Sequence, residues 1–251
     1  MGQDSAETIP VVHLVAGPTG VGKSDMASAL AKAERAPVVV ADRIQCFTDL
    51  ATTSARAGAY EPGVSRFWLG DRTVLDGDYP AAQAVQELID TVTGLSGEHH
   101  QVIIEGGSVS LLQHLAGQLP DLPWRFTVTL LPMPDRASYL AALTARARAM
   151  LTPVPPGRSL LDELAALWRI PQAREFVASV NGLEAALEWC AKYSVDPAEA
   201  GSSDVPRELR ERLAHMIAVR HLEHGVLQNS VFRELFRDWP ANLRQQREPA
   251  A

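Results

Sequence analysis

The chain has 251 residues, 46% of them hydrophobic, which is enough to bury one α/β core and a smaller helical unit. Its formal net charge of −7 argues against a nucleic-acid partner, because proteins that bind folded RNA usually carry a basic face. The two cysteines, Cys46 and Cys190, are too few for a disulfide framework or a cysteine metal cluster.

The first ten residues, MGQDSAETIP, lack the basic and apolar regions of a signal peptide. No stretch of the sequence approaches the roughly 18 apolar residues of a membrane span. Two reduced thiols are typical of a cytosolic protein. We therefore expect a cytoplasmic protein that does not associate with membranes.

A strand–loop–helix–strand unit opens the chain. Val11–Ala16 is short and mostly apolar, as expected of a buried parallel strand. Ser24–Arg35 has apolar residues at helical spacing, and Pro37–Ala41 is a second buried strand. Residues 48–80 are rich in Gly, Thr, Arg and Asp, which predicts a long substrate-facing segment with short strands inside it.

Helices and strands continue to alternate after this segment. The pattern predicts helices over Ala81–Leu95, Val109–Ala116 and Asp135–Leu151, with Asp135 as a cap, and strands over Val102–Glu105 and Phe126–Leu131. Strands separated by helices of this length are typical of a parallel sheet with helices on its faces. We therefore predict an α/β fold.

The clearest break in the chain is TPVPPG, residues 152–157. The later pattern is entirely helical, with predicted helices over Ser159–Trp168, Gln172–Ser179, Leu183–Tyr193 and Pro206–Phe236. We predict an α/β domain over residues 1–155 that binds a nucleotide or pyrophosphate. Residues 156–239 then form a C-terminal helical lobe that completes the substrate cleft, and residues 240–251 form a disordered tail.

The segment between the first strand and the first helix, GPTGVGKS at Gly17–Ser24, fits the pattern G-x-x-x-x-G-K-[ST]. Glycines let backbone amides approach phosphate oxygens, and the helix N-terminus adds positive potential. Lys23 contributes a charge, and Ser24 can reach a magnesium ion. The loop predicts a P-loop NTPase-like fold that holds pyrophosphate or polyphosphate. It does not identify the reaction, because kinases, hydrolases and transferases share it.

Acidic and polar residues follow two other predicted strands. Ligands of open parallel sheets bind beyond the carboxyl ends of the strands, so we expect Asp42 to face the phosphate loop. An aspartate at this position can also cap the next turn. Glu105 and the following Gly106-Gly107-Ser108 enter the same cleft, although Ser108 can equally cap the next helix. The candidate phosphate clamps from later segments are Arg56, Arg66, Arg72 and Arg146.

Four segments resemble the adenylate isopentenyltransferases, or adenylate dimethylallyltransferases, of bacterial cytokinin synthesis: GPTGVGKSDMA, ADRIQC, IIEGGSVSLL and SLLDELAALW. The likeness extends from about Val11 to Gln228. The related tRNA dimethylallyltransferases share the loop, but carry Asp-Ser where this chain has Asp42-Arg43, and are usually longer. The acidic charge of this chain agrees with the branch that acts on small nucleotides.

The resemblance implies a reaction. A dimethylallyl group would pass from dimethylallyl diphosphate, or from 4-hydroxy-3-methylbut-2-enyl diphosphate, to the N6 amine of AMP, as the first step of cytokinin biosynthesis. Pyrophosphate would leave, and Mg²⁺ would be the cofactor. The resemblance also implies that Asp42 accepts the amine proton and that Thr19 contacts the bridging oxygen of the donor. Whether the acceptor is AMP, ADP or ATP stays open.

The resemblance and the cleft argument together predict the site residues. The predicted catalytic residues are Asp42, Thr19 and Lys23. The predicted pyrophosphate-binding residues are Gly17, Pro18, Gly20, Val21, Gly22, Ser24 and Arg146, with Ser24 also on the metal. The predicted nucleotide-binding residues are Arg43, Gln45, Ser54, Arg56, Gly106, Gly107, Ser108 and Ser179.

Three positions depart from the family pattern. A basic residue expected on the predicted strand Phe126–Leu131 is Thr127, and two acidic positions are Ser179 and Asn181. In members that accept a hydroxylated donor, an aspartate and a histidine line the donor tail. Asn181 and His224 are therefore predicted to form this pocket. Asn181 can hydrogen-bond a hydroxyl group without supplying charge, so the preferred donor stays open.

Other functions remain compatible with the sequence. A small-molecule kinase would use the same loop, with Arg146 and Arg148 on a lid helix. A non-catalytic nucleotide-binding module would fit the departures at Ser179 and Asn181. Prenylation of tRNA is a variant of the first interpretation. The sequence does not determine the oligomeric state.

Overall fold

The core of the protein is a parallel β-sheet. A computed structural model describes residues 9–56, 61–153, 157–201 and 205–239. Within these ranges the strands are β1 (Val11–Ala16), β2 (Val38–Ala41), β3 (Arg66–Trp68), β4 (Gln101–Gly106) and β5 (Arg125–Leu130). They form one sheet in the order β3-β2-β4-β1-β5, and every neighbouring pair is parallel.

The three central strands end at the same edge of the sheet. Gly106 at the end of β4 is paired with Ala16 of β1 on one side and with Ala41 of β2 on the other. These strands are apolar along most of their length because helices cover both faces of the sheet. The alignment brings the segments after β1, β2 and β4 together, which creates a single carboxyl edge for ligands.

The helices of the described residues are α1 (Lys23–Glu34), α2 (Ala81–Ser96), α3 (Val109–Gln118), α4 (Arg136–Leu151), α5 (Leu160–Trp168), α6 (Arg174–Ser179), α7 (Leu183–Tyr193) and α8 (Arg207–Leu235). Two of these helices begin at residues whose side chains cap the free backbone N–H groups of the first turn. The carboxylate of Asp135 accepts hydrogen bonds from the backbone N–H groups of Ala137 and Ser138, so the predicted cap is confirmed. Ser159 and Asp162 form a capping box at α5.

The described part of the chain after residue 157 contains helices and no strand, as predicted. α8 is 29 residues long and packs along α4. One apolar core cluster includes residues of the sheet and of helices α4 to α8. Beyond the end of α8 the ring of Trp239 lies 5.4 Å from that of Phe126 on β5, so the chain after the last helix contacts the sheet.

The fold class is therefore the predicted one, a parallel sheet flanked by helices with a helical C-terminal part. The strand β3 is the element that the sequence did not localise, since it is three residues long and its phenylalanine is exposed. It lies inside the segment 48–80. The predicted division near residue 155 stays a prediction, and the predicted tail 240–251 lies outside the described residues. No helix within the described ranges has the length and apolar character to span a membrane.

Candidate active site

The loop between β1 and α1 forms a backbone cradle at the carboxyl edge of the sheet. Gly20 and Gly22 have φ angles of 79° and 89°, a conformation that residues with side chains rarely adopt. A Cβ atom at Gly20 would also lie 2.9 Å from Leu143 Cδ2. α1 begins at Lys23, so the free amides of its first turn can bind an anion in the cradle.

Lys23 is enclosed by this loop. Its Nζ donates a hydrogen bond to Pro18 O at 2.7 Å. Burial lowers the pKa of Lys23 to about 8, while the carboxylates of Glu105 and Asp42 act in the opposite direction. An anion that enters the cradle would favour the charged amine and raise its pKa again.

Glu105 is a buried carboxylate at the end of β4 that joins the loop to the sheet. One oxygen accepts a hydrogen bond from Ser24 Oγ, and the other pairs with Arg66. The side chains of Glu105 and Arg66 are each 5% exposed, and Arg66 Nη2 also donates to Ser28 Oγ at 3.1 Å. The sequence made Arg66 a candidate phosphate clamp, whereas in the structure it is the internal counter-ion of Glu105.

The cradle offers oxygen ligands that suit a magnesium ion. Ser24, Asp25 and Glu105 line the same cavity and supply hydroxyl and carboxylate oxygens. In the described ranges no group of three or more His, Cys, Asp or Glu side chains could hold a metal ion. Mg²⁺ commonly takes only one or two protein oxygens and completes its shell with phosphates and water. The residues present therefore fit a magnesium ion that binds together with a phosphate ligand.

Asp42 follows β2 at the same edge of the sheet. Its Oδ1 accepts hydrogen bonds from the backbone N–H groups of Ile44 at 3.0 Å and Gln45 at 3.4 Å. This oxygen stabilises the turn that follows the strand, which is the capping role considered from the sequence. In the described part of the chain these hydrogen bonds involve Oδ1, so Oδ2 is available to a ligand.

Two cavities meet at this edge. The cavity at the loop has a volume of about 400 Å³ and will be called the loop cavity, and the second, of about 540 Å³, extends to the C-terminal helices and will be called the helical cavity. Four predicted residues line both of them: Thr19, Asp42, Ser54 and Arg146. Asp42 therefore faces the cradle and the larger space beyond it.

The other predicted residues divide between the two cavities. The loop cavity contains Gly20, Gly22, Lys23, Ser24 and Gln45. The helical cavity contains Arg43, Gly107, Ser108, Ser179, Asn181 and His224. Predicted residues that are in the lining of neither cavity are Gly17, Pro18, Val21, Arg56 and Gly106.

Arg56 is held away from both cavities. Its Nη1 donates to the carbonyl oxygens of Gln45 at 2.9 Å and Cys46 at 3.3 Å, and its Nη2 pairs with Asp71. The guanidinium also stacks over the ring of Trp68 at 4.6 Å. Arg56 therefore supports the segment that carries Gln45, and its contact with the nucleotide stays a prediction.

Packing explains two other residues outside the lining. Val21 packs against a buried apolar cluster that includes Tyr139 and Leu143. A Cβ atom at Gly106 would lie 3.2 Å from the Cβ of Ala41, so the glycine permits close strand contact. Val21 therefore supports the loop and Gly106 supports the sheet edge, although neither lines a cavity.

Two arginines near the cleft are anchored around Tyr79. Arg43 Nη1 donates to Tyr79 O and lies 3.3 Å from Asp78 Oδ1. Arg72 Nη2 donates to Asp76 O at 3.1 Å, and its guanidinium lies 4.8 Å from the ring centre of Tyr79. Arg72 is thus committed to local contacts, whereas Arg43 also lines the helical cavity.

Arg146 reaches the cleft from α4. Its Nε is buried and has no hydrogen-bond partner in the described residues. Burial lowers the pKa of Arg146, and the carboxylate of Asp42 acts in the opposite direction. A buried cation with an unsatisfied donor on the shared wall is suited to an anionic ligand.

The far end of the helical cavity is polar and carries neutral rings. Asn181 Oδ1 and His221 Nδ1 are buried without a hydrogen-bond partner among the described residues. Burial lowers the pKa of His221 to about 3 and also lowers the pKa of His224. Both imidazoles are therefore neutral at neutral pH. Ser179 Oγ, by contrast, donates to Phe176 O at 2.7 Å, so its hydroxyl proton is used locally.

The structure also shows the surroundings of Ser108 and Thr127, two positions that the sequence analysis singled out. Ser108 stands at the N-cap of α3, but its side chain makes no cap hydrogen bond. Thr127 Oγ1 lies 2.7 Å from His13 Nδ1, and Thr129 Oγ1 lies 3.1 Å from His13 Nε2. Burial lowers the pKa of His13 to about 4. Thr127, where the family pattern has a basic residue, is thus a partner of a neutral histidine between β1 and β5.

Several polar residues of the C-terminal helices, at the site or beside it, were not predicted. Gln228 and His221 line the helical cavity, and Glu163 accepts hydrogen bonds from Thr52 N at 2.7 Å and Thr53 N at 2.9 Å. All three are polar residues within apolar helix faces, and that position could have singled them out. The hydrogen-bond partners of Gln228 and Glu163 are more than 100 positions away along the chain, so the sequence could not name them.

The comparison with known families identifies the chain. A family model described as isopentenyl transferase matches residues 10–242. The chain belongs to the isopentenyl transferase family. The match includes both cavities and all the helices that line them.

Relatives within the family have similar lengths. An adenylate dimethylallyltransferase of Rhodococcoides fascians is 43% identical over 228 residues, which cover 90% of this chain and 89% of the relative. A protein of the same name from Ralstonia solanacearum is 34% identical over 233 residues, covering 91% of this chain and 96% of the relative.

Solved structures of the same fold act on tRNA according to their descriptions. A eukaryotic dimethylallyltransferase acting on tRNA superposes with a TM-score of 0.63 at 15% identity, over 94% of this chain and 75% of that one. The tRNA isopentenylpyrophosphate transferase of Bacillus halodurans has a TM-score of 0.63 at 12% identity, over 89% of this chain and 86% of that one. At this identity the likeness establishes the isopentenyl transferase fold alone.

Proposed function

We propose that this protein transfers the dimethylallyl group of dimethylallyl diphosphate to the N6 amine of AMP and releases pyrophosphate, the first step of cytokinin biosynthesis. The observation that carries this proposal is the wall shared by the two cavities, which holds both Thr19 and Asp42. Group transfer requires donor and acceptor to meet, with catalytic groups where they meet. The names of the relatives from Rhodococcoides fascians and Ralstonia solanacearum support the same reaction.

The donor's pyrophosphate binds in the loop cavity. The backbone amides of the cradle and the ammonium of Lys23 bind the phosphate oxygens, and Arg146 closes the site from α4. Ser24, with Glu105 behind it, would hold Mg²⁺ on these oxygens. When bound, the metal supplies charge that stabilises the leaving pyrophosphate.

The acceptor binds in the helical cavity with its amine toward Asp42. The exocyclic amine of adenine is a poor nucleophile because its lone pair is delocalised into the ring. As the new C–N bond forms at the allylic carbon, Asp42 accepts the N6 proton on the oxygen that does not cap the turn. Ser54, also on the shared wall, and Gly107 and Ser108 border the acceptor.

Departure of pyrophosphate is coupled to this attack. The allylic C–O bond breaks, and its electron pair passes to the bridging oxygen. The Thr19 hydroxyl donates a hydrogen bond to that oxygen, where charge accumulates in the transition state. Lys23 stabilises the same charge, and the cleft must exclude water during the reaction, because water would otherwise capture the allyl group.

The polar end of the helical cavity receives the donor tail. Asn181, His221 and His224 are neutral there and can exchange hydrogen bonds with a hydroxyl group. We propose that both dimethylallyl diphosphate and its 4-hydroxy analogue are accepted. We also propose a cytoplasmic location, which the two free, buried cysteines support.

Mass spectrometry of the products tests the function. AMP is incubated with each donor and Mg²⁺, for the wild type and for Asp42→Asn. The asparagine keeps an oxygen that can cap the turn but lacks the charge that accepts a proton. We expect prenylated AMP from the wild type, and a loss of kcat of about 10²–10⁴-fold in the variant with pyrophosphate affinity retained.

Parallel incubations separate the alternatives. Transfer of label from ATP to a small acceptor would establish a kinase, and modified adenosine in tRNA without prenylated AMP would establish a tRNA enzyme. Tight binding of AMP and donor with no product would indicate a binding module. Each of these results would refute the proposal.

A further inference from the structure

Both backbone polar groups of Thr19 are held by side chains of the C-terminal helices. Tyr139 on α4 donates its hydroxyl to Thr19 O at 2.6 Å, and Gln228 on α8 accepts from Thr19 N–H at 2.8 Å. Tyr139 is 1% exposed and Gln228 is 3% exposed, so water does not compete for these bonds. Together they orient the peptide groups on either side of Thr19, and hence the direction of its side chain.

Gln228 also reaches the acceptor side of the cleft. Its Nε2 donates to Gly107 O at 2.6 Å, and Gly107 lines the helical cavity. One buried amide therefore uses its acceptor on the phosphate loop and its donor on the turn after β4. Because both groups of the amide are satisfied, Gln228 sets the distance between the two turns.

Gly225 makes room for this arrangement. It lies one turn before Gln228 on α8, and a Cβ atom there would be 2.1 Å from the Tyr139 hydroxyl and 3.0 Å from two ring carbons. Tyr139 can therefore pass between α4 and α8 to reach Thr19 only because residue 225 lacks a side chain.

We infer that Tyr139 and Gln228 are positioning residues that aim the Thr19 hydroxyl at the bridging oxygen of the prenyl donor. The inference rests on the proposed function, in which that hydroxyl stabilises the leaving pyrophosphate. Neither residue touches the reacting atoms in this role. They act through Thr19, and they link the leaving-group side of the cleft to its acceptor side.

A double-mutant cycle on kcat tests the inference. Tyr139→Phe and Gln228→Met keep side-chain size and remove the hydrogen bonds, and each is combined with Thr19→Ala. We expect each single substitution to lower kcat by about 10–100-fold with a nearly unchanged KM for the donor, because a small displacement of a catalytic group is costly. In the Thr19→Ala background neither should lower kcat further.

Tyr79→Phe is the matched control. Tyr79 is also buried and also donates its hydroxyl to a backbone carbonyl, Leu69 O at 3.1 Å. We expect its kcat to equal that of the wild type. Hydrogen exchange of the Thr19 amide should accelerate in Gln228→Met and stay unchanged in the control. The two test variants remove bonds from opposite sides of Thr19, so a folding failure in one leaves the other decisive.

The outcomes separate the inference from the function beneath it. One outcome would overturn the positioning role and leave the proposed function intact. In it the wild type forms prenylated AMP, but Tyr139→Phe and Gln228→Met lower kcat as much in the Thr19→Ala background as in the wild type. A wild type that forms no prenylated AMP would overturn both. If the decreases in kcat disappear in the Thr19→Ala background and Tyr79→Phe has the kcat of the wild type, the result supports both the inference and the proposed function.

Discussion

Burial brings the pKa of Lys23 closer to neutral pH. Its ammonium lies within the loop beside Pro18 O, and burial lowers its pKa from 10.5 to about 8. The unfolded chain therefore holds this proton more tightly than the folded protein between about pH 8 and 10.5. By linkage, this group makes the folded state more stable as the pH rises through that range.

The same shift predicts a pH dependence of anion binding. Above about pH 8 the empty cradle must take up a proton to present a charged lysine. We expect the dissociation constant for inorganic pyrophosphate to rise by up to about tenfold per pH unit between about pH 8 and 10. Isothermal titration calorimetry measures this dissociation constant for the wild type and for Lys23→Arg. The arginine stays charged over this pH range, and ionisation of pyrophosphate itself affects both proteins equally. Identical profiles would refute the prediction.

Arg66 should matter to stability far more than an exposed arginine does. Arg66→Met leaves the carboxylate of Glu105 buried and unpaired, which should lower the free energy of unfolding by about 3–5 kcal/mol. The control is Arg148→Met, which breaks an ion pair with Glu211 at 2.7 Å whose side chains are 54% and 43% exposed. Its effect should stay below about 1 kcal/mol. Denaturant unfolding compares them, and equal losses would contradict the assignment.

At the scale of elements, the close approach of α4 and α8 governs the site. The phosphate loop is a local structure, but Thr19 in it is held from those two helices. Arg146 reaches the shared wall from α4, and His221 and His224 reach the helical cavity from α8. A small change in the spacing of two helices therefore acts on both cavities.

Replacement of two helical glycines should have opposite effects. Alanine normally stabilises a helix by about 1 kcal/mol relative to glycine. Gly117→Ala in α3 should show this gain, because a Cβ atom there meets nothing within 4 Å. Gly225→Ala should instead lower the melting temperature and kcat, because the methyl group collides with Tyr139. Thermal unfolding and activity assays give the melting temperature and kcat of both variants. A Gly225→Ala protein that is more stable than the wild type and fully active would be inconsistent with the packing described.

At the scale of the whole molecule, the sheet and the C-terminal helices share one core. A single apolar cluster extends from β1 to the end of α8, and Trp239 packs on Phe126. At residues 152–157 the sequence pattern changes from alternating strands and helices to helices alone. The apolar core contains residues from before and after this segment. We therefore predict that the protein unfolds as one cooperative unit.

Unfolding tests this prediction. We expect one transition, with equal calorimetric and van't Hoff enthalpies and coincident curves from tryptophan fluorescence and circular dichroism. The contact of Trp239 with the sheet makes fluorescence sensitive to the helical part. Two resolved transitions would contradict a single unit and would favour separate domains on either side of residue 155.

The site was predictable where its signals are local. Gly20, Gly22 and Lys23 belong to one short motif, and Asp42 directly follows a strand of four apolar residues. Arg56 and Arg66 could not be assigned in this way. An arginine in sequence carries no information on whether its partner is a ligand or, as in these cases, a backbone carbonyl or a buried carboxylate.

The amino-acid sequence by itself determined the α/β class, the phosphate loop and the strand ends that bear the site, because hydrophobic period and glycine spacing act over a few residues. The tertiary structure decided which distant side chains complete the site. Gln228 and Tyr139 meet Thr19 across 209 and 120 positions, and Glu163 meets Thr53 across 110. Such pairs depend on how helices pack onto the sheet, which no local pattern specifies.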